Sequence, residues 1–171
     1  MAKPINLNKV NSDLRQRLTA VYEEVMWLAA RPGNTPSMAR AWYTHVAAGK
    51  FVSEIRQFSG KVSQRAVRDP EATLRLEHPA RIQTKLTTLV KTHLKYKSPR
   101  PRAFVRFILD AEKVHIVTFE ENYLAMQNDG NYRRAGIKLI PWRGVPKKKQ
   151  ALLWKKMLRG RVANADDFAA D

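Results

Sequence analysis

Cysteine is absent from the chain. Its absence removes disulfides, thiolate metal sites and a cysteine nucleophile together, and it fits a reducing compartment, so the expected localisation is cytoplasmic. No stretch approaches the roughly 18 apolar residues that a membrane span requires, and the opening Met1-Ala2-Lys3-Pro4-Ile5-Asn6 lacks the apolar run of a secretory signal. No transmembrane segment is expected. Neither a Walker loop nor a GxGxxG fingerprint occurs, which argues against a nucleotide-driven motor. Acidic residues are scarce, 15 Asp and Glu against 32 Lys and Arg, for a formal net charge of +17. Self-repulsion of that size works against a compact chain unless a polyanion offsets it, so an acidic partner is expected.

What is present is enough to fold. The 171 residues are 44% apolar and include four tryptophans, which places the chain with globular proteins despite its charge. The charge is uneven. Residues 61–106 carry twelve Lys/Arg against three Asp/Glu, residues 107–130 one against five, and residues 131–161 eleven with no acid. Two basic blocks around an acidic one suggest one cationic face assembled from distant stretches, against a background of ordinary solvated charge. The organisation this implies is an N-terminal helical region (1–60), a basic α+β region (61–161) packed with it as a single domain, and an acidic tail (162–171).

Leu14, Leu18, Val21, Tyr22, Val25 and Leu28 recur at helical spacing and predict a helix over 13–30, with Asn11 or Ser12 as cap. Arg31-Pro32-Gly33 breaks it. Ser37 can cap a second helix that bends at Gly49 and continues to about Phe58. Residues 59–78 have no clear period and are expected to form a basic connection. Pro79 suits the start of a third helix with Ile82, Leu86, Leu89, Val90, His93 and Leu94 on one stripe, His93 as a packed core residue, and Arg81, Lys85, Lys91 and Lys95 pointing away. A short helix follows through Phe104, Phe107 and Ile108. The β-branched run Val114–Phe119 predicts a buried strand, Thr118 and Glu121 a capping box opening a helix, and Ile137–Ile140 a second strand stopped by Pro141. A last helix runs from about Pro146 to Arg159. The fold class is thus α+β, mostly helical, with about five or six helices and a small two- or three-stranded sheet in the C-terminal half.

Several segments carry the chemistry of phosphate recognition. Tyr132-Arg133-Arg134, Trp142-Arg143, Lys147-Lys148-Lys149, Lys155-Lys156 and Arg159-Gly160-Arg161 combine cations with aromatics that could stack on unpaired bases. Trp154 fits the core, while Trp142 is divided between core and surface. Lysines at a helix start oppose the macrodipole, so Lys147, Lys148 and Lys149 make better sense as ligand contacts. Arg81, Lys85, Lys95, Lys97, Arg100 and Arg102 add a second basic stretch, stiffened by Pro99 and Pro101. Seventeen of the 32 basic residues are arginine, which favours bidentate phosphate pairing. No zinc finger, RNP motif or basic zipper is visible, so no base-reading device is expected.

Catalytic candidates are few. Glu77-His78 before Pro79 resembles the acidic-His opening of HNH-type nucleases, although the glycine-rich loop and closing His of that pattern are not recognisable; the competing role is a pair at the start of a helix. Arg40 and His45 are similar in spacing to the Arg-x4-6-His pattern of helical HEPN ribonucleases, with Ala41 where a polar residue is common. Asp110-Ala111-Glu112-Lys113 has the residue types of a PD-(D/E)xK site but the wrong spacing, and is expected to be a solvated helix end. The expectation is a non-enzymatic nucleic-acid-binding protein, DNA slightly ahead of RNA, contacting phosphates and acting as a subunit of a nucleoprotein assembly with other protein subunits. A small nuclease using Glu77 and His78, or Arg40 and His45, is the alternative, and docking on an acidic protein or membrane the third. No cofactor is expected, and a divalent metal only with the nuclease.

Overall fold

The structure is a computed structural model that describes residues 10–79 and 82–169. Backbone contacts divide the chain into two compact units, residues 1–51 with 82–111 and residues 52–81 with 112–171. The divide expected at residue 60 falls inside a strand of the second unit.

The first unit is helical. α1 (Ser12–Ala30) starts at Asn11, whose side chain accepts the Asp13 N–H, and buries Leu14, Leu18, Val21, Tyr22 and Val25. α2 (Pro36–Trp42) is capped by Thr35 instead of Ser37. The expected continuation to Phe58 is not one helix: a π turn (Tyr43–Ala47) and a 3-10 turn (Ala48–Lys50) intervene, and only Val52–Ile55 (α3, in the second unit) is α-helical beyond them. α5 (Ile82–Lys95) and α6 (Pro101–Ala111) complete this unit, with α4 (Gln64–Arg68) lying in the other. α1 packs on α2 and α6, and α2 packs on α5. Their shared core holds Leu18, Val25, Leu86, Val90, Phe104 and Ile108, all fully buried, each worth about 1.5–3 kcal/mol of transfer free energy. The Tyr22 hydroxyl accepts the Arg100 N–H at 3.0 Å and shares a 3.0 Å hydrogen bond with His93 Nδ1. His93 is buried, as its stripe position implied, and burial together with Arg100 lowers its pKa.

The second unit is built on a four-stranded mixed sheet, in the order β2 (Leu74–Glu77), β3 (Lys113–Thr118), β1 (Gln57–Ser63), β4 (Leu139–Pro141). β1 runs parallel to β3, and the other two pairings are antiparallel. The α+β class holds, but the sheet has more strands than expected, and two of them come from 57–77. That stretch is not the connection its lack of period suggested. β1 is interrupted by a bulge: Phe58 pairs with Val114 and Val62 with Ile116, so β1 spends four residues where β3 spends two. Gly60 takes φ +73 there, a conformation that glycine adopts without steric cost.

One face of this sheet packs Phe58, Val62, Leu74, Val114 and Ile116 against Leu153, Met157 and Leu158. The latter come from α8 (Lys147–Leu153) and the π turn Trp154–Leu158 that continues it. α4 (Gln64–Arg68) is capped by Ser63, and α7 (Phe119–Gln127) opens with the capping box anticipated from Thr118 and Glu121. The buried Glu121 carboxylate accepts from Thr118 N and from Ser63 Oγ, so one side chain ties the ends of β1 and β3 together. Where β4 stops, Asn164 completes the β1 ladder: its side chain accepts the Phe58 N–H at 2.8 Å and donates to the Phe58 carbonyl at 3.0 Å. Phe168 packs edge-on against Phe58 at 4.7 Å, so the acidic C-terminal stretch contributes to the core through Ala165 and Phe168.

Candidate nucleic-acid interface and the polar end of the sheet

The basic block 61–106 is split, with residues 61–81 in the second unit and 82–106 in the first, and the block 131–161 lies wholly in the second. In the first unit Lys85, Lys95, Lys97, Arg100 and Arg102 are all exposed. Arg81, at the end of a segment of the second unit, lies outside the described residues. In the second, Arg133, Arg134, Arg143, Lys147, Lys148, Lys155, Arg159 and Arg161 are exposed. Lys147 and Lys148 occupy the first turn of α8, which has neither a side-chain cap nor an acidic residue to offset them. Their charge therefore works against the helix dipole, as the sequence implied.

Three residues expected at the interface are used inside the fold. Trp142 is only 8% exposed, edge-on to Phe58 with ring centroids 5.4 Å apart, so its ring is packed in the core and offers no face to a base. Lys149 donates to the carbonyls of Val67 (2.6 Å) and Arg68 (3.2 Å). An ammonium at the C-terminal carbonyls of α4 satisfies orphan acceptors and suits the negative end of a helix. Lys156 likewise donates to the carbonyls of Pro70, Glu71 and Ala72. Arg159 lies over Trp154, whose indole N–H donates to Ala165 O. The Lys149 contact also brings α4 beside the start of α8. Exposed Arg65 and Arg68, part of the stretch expected to be a basic connection, thereby join the neighbourhood of Lys147 and Lys148.

A second constellation lies at one end of the sheet. β3 is the shared neighbour of β2 and β1, with Glu77 opposite His115 and Gln57 opposite Lys113. This register gathers the residues just past β2 and just before β1 and β3. Glu112, expected to be a solvated helix end, is buried, and its Oε2 lies 3.0 Å from His78 Nε2 and 3.7 Å from Arg56 Nε. The His78 side chain keeps 26% of its surface exposed. An imidazole whose Nε2–H is held by a carboxylate presents Nδ1 as an acceptor. Glu77 is also buried, at 8% exposure.

Beside this group the β1 bulge places Ser59 Oγ in a short hydrogen bond with His115 Nδ1. Burial, reinforced by the charge of Lys61 and opposed by a hydrogen bond to the Val114 backbone, pulls His115 down to about 4; it is neutral near pH 7. Tyr132 packs on it with ring centroids 5.5 Å apart, and the Tyr132 hydroxyl is buried with no hydrogen-bond partner among the described residues. The backbone at Gly130 approaches Pro79 so closely that a Cβ there would meet the Pro79 carbonyl at 3.2 Å. The loop carrying Tyr132, Arg133 and Arg134 is therefore seated against the residue that follows His78.

Arg40 and His45 are arranged differently. Arg40 is half-buried on α2, with its Nε lacking a hydrogen-bond partner among the described residues. His45 is exposed on the π turn and not part of an apolar stripe. No side-chain hydrogen bond joins the two among the described residues.

The architecture is that of an α+β protein with a helical unit and a mixed-sheet unit. The chain matches no protein-family model, and comparison with curated proteins and with solved structures gives no significant match.

Proposed function

We propose that this protein binds the phosphate backbone of a nucleic acid through exposed arginines and lysines, chiefly those of the second unit. The observation that carries the reading is the set Arg133, Arg134, Arg143, Lys147, Lys148 and Lys155. All six are exposed, and none forms an ion pair among the described residues. The acids that could neutralise them are missing from residues 131–161, and two of the cations sit where they destabilise their own helix. A surface carrying that internal cost gains most from a polyanion, because each phosphate neutralised releases counterions. With Trp142 in the core, its ring is not available to bases, and the six cations contact backbone phosphate, so little sequence preference is expected from them.

The test is binding of labelled single- and double-stranded DNA and RNA across a salt series. Affinity should fall linearly on a log–log plot, and Lys147→Gln or Lys148→Gln should each lower the slope by about 0.7–0.9. Lys149→Met, whose ammonium is already engaged, should leave the slope unchanged and lower the melting temperature. Absence of binding at low salt to all four polymers would overturn the proposal.

A further inference from the structure

We propose that the end of the sheet where Glu112, His78 and Arg56 meet is a phosphodiester-cleaving site in which His78 is the general base and Glu112 its positioning residue. The inference rests on the nucleic-acid-binding reading and adds a reaction to it. Three observations converge. First, a buried carboxylate is costly unless it is paired and hydrogen-bonded, and Glu112 meets that cost with the imidazole of His78 at 3.0 Å and the Arg56 guanidinium at 3.7 Å. Holding the proton on Nε2 fixes the tautomer, and Nδ1 has no hydrogen bond among the described residues. A partly exposed imidazole held in one tautomer by a carboxylate is the arrangement that general-base catalysis requires.

Second, the Tyr132 hydroxyl is a buried donor with no partner among the described residues. Such a group is expensive to leave unmatched, and the Tyr132 ring packs on His115, the residue paired with Glu77 next to His78. Third, the Gly130 backbone packs against Pro79, the residue after His78, and exposed Arg133 and Arg134 follow in the chain three and four residues after Gly130. The bulge that delivers Ser59 and Lys61 to His115 belongs to this end as well, and bulges of this kind commonly re-aim side chains beside active sites.

The step balances without further reactants than water. His78 Nδ1 takes a proton from a water molecule as that oxygen bonds to phosphorus. The bond from phosphorus to the departing sugar oxygen breaks, and the imidazolium proton passes to that oxygen. One diester and one water give one phosphomonoester and one alcohol. DNA and RNA share this chemistry.

The experiment incubates the full chain with end-labelled single- and double-stranded DNA and RNA, with and without added magnesium or manganese, and resolves products on a denaturing gel beside a binding assay. The expected result is fragments ending in a phosphomonoester. His78→Ala should cleave about 10²–10⁴-fold more slowly with affinity retained, and added imidazole should restore cleavage to His78→Gly. Glu112→Gln should lower kcat and leave KM unchanged, and Glu112→Asp, which keeps the carboxylate, should recover part of the rate; a purely structural role would change KM together with kcat. Circular dichroism checks that each variant folds, with His78→Asn as the substitute if the glycine variant does not. Polymer bound but uncleaved would overturn this site and leave the binding reading intact. Absence of binding would overturn both. Cleavage surviving in His78→Ala would remove His78 from the chemistry, and a 2′,3′-cyclic phosphate product would refute the water step.

Discussion

His115 gives the sharpest physical test of the second unit. It lies on β3 at 7% exposure, opposite Glu77, with Ser59 on its Nδ1 and the charge of Lys61 nearby. Its folded pKa, about 4, is below the ordinary value of 6.5. Between those values the unfolded chain takes up a proton that the folded chain refuses. Stability should therefore be constant above pH 6.5, fall as pH drops toward 4, and level off below that. At 1.36 kcal/mol per pH unit, the gap is worth about 3 kcal/mol. Two measurements check it. An NMR titration of the imidazole resonances, with His115 assigned by its loss in His115→Gln, should show no transition for this ring near pH 6.5. Urea unfolding at pH 7.5 and pH 4.5 should then show the wild type losing about 2–3 kcal/mol more than His115→Gln over that interval. His93, also lowered by burial, is common to both chains and cancels, while loss of the Ser59 bond shifts the variant's stability at both pH values. Titration of His115 near 6.5, or equal acid losses in the two chains, would refute the burial argument.

Trp142→Ala should cost about 3–5 kcal/mol in a denaturant melt, the usual range for emptying a large aromatic site. It should leave the salt slope of binding unchanged, and the reverse pattern would place the ring at the interface. Ser63→Ala should cost about 1–3 kcal/mol. The hydroxyl both donates to the buried Glu121 carboxylate and accepts the Ala66 N–H that opens α4. A neutral result in the same melt would mean that the Glu121 network contributes little.

The parts of the fold legible in the sequence were those set by neighbours in the chain. Asn11 before the apolar stripe marks the start of α1, Thr118 and Glu121 form the capping box of α7, and the β-branched residues after Lys113 make β3. β1 escaped because Ser59-Gly60-Lys61 puts no apolar residue between its core positions Phe58 and Val62 and carries the bulge, and a spacing of four is common to one face of a strand and one face of a helix. β2 is four residues long, too short for periodicity to register. The long helix expected from Ser37 to Phe58 failed for a related reason. Apolar residues there kept helical spacing while the backbone passed through π and 3-10 turns, which the hydrophobic pattern does not distinguish.

At the site, the pair Glu77-His78 could be singled out because two chemistry-bearing residues adjoin before a proline. Glu112 could not be linked to them, since its partners are defined only by pairing across the sheet. Parallel pairing of Gln57 with Lys113 puts Arg56 beside Glu112, and antiparallel pairing of Glu77 with His115 brings the residue after β2 to the same end. Nothing local in Asp110-Ala111-Glu112 encodes that register. The basic surface shows the converse. Charge density announces a cationic block, yet which lysines remain available depends on carbonyls 81–86 residues away, as for Lys149 and Lys156. A lysine that satisfies three carbonyls of a loop is structural whatever its neighbours in sequence. The cations left for a polyanion are therefore those whose local context opposes them, Lys147 and Lys148 at the positive end of α8 above all.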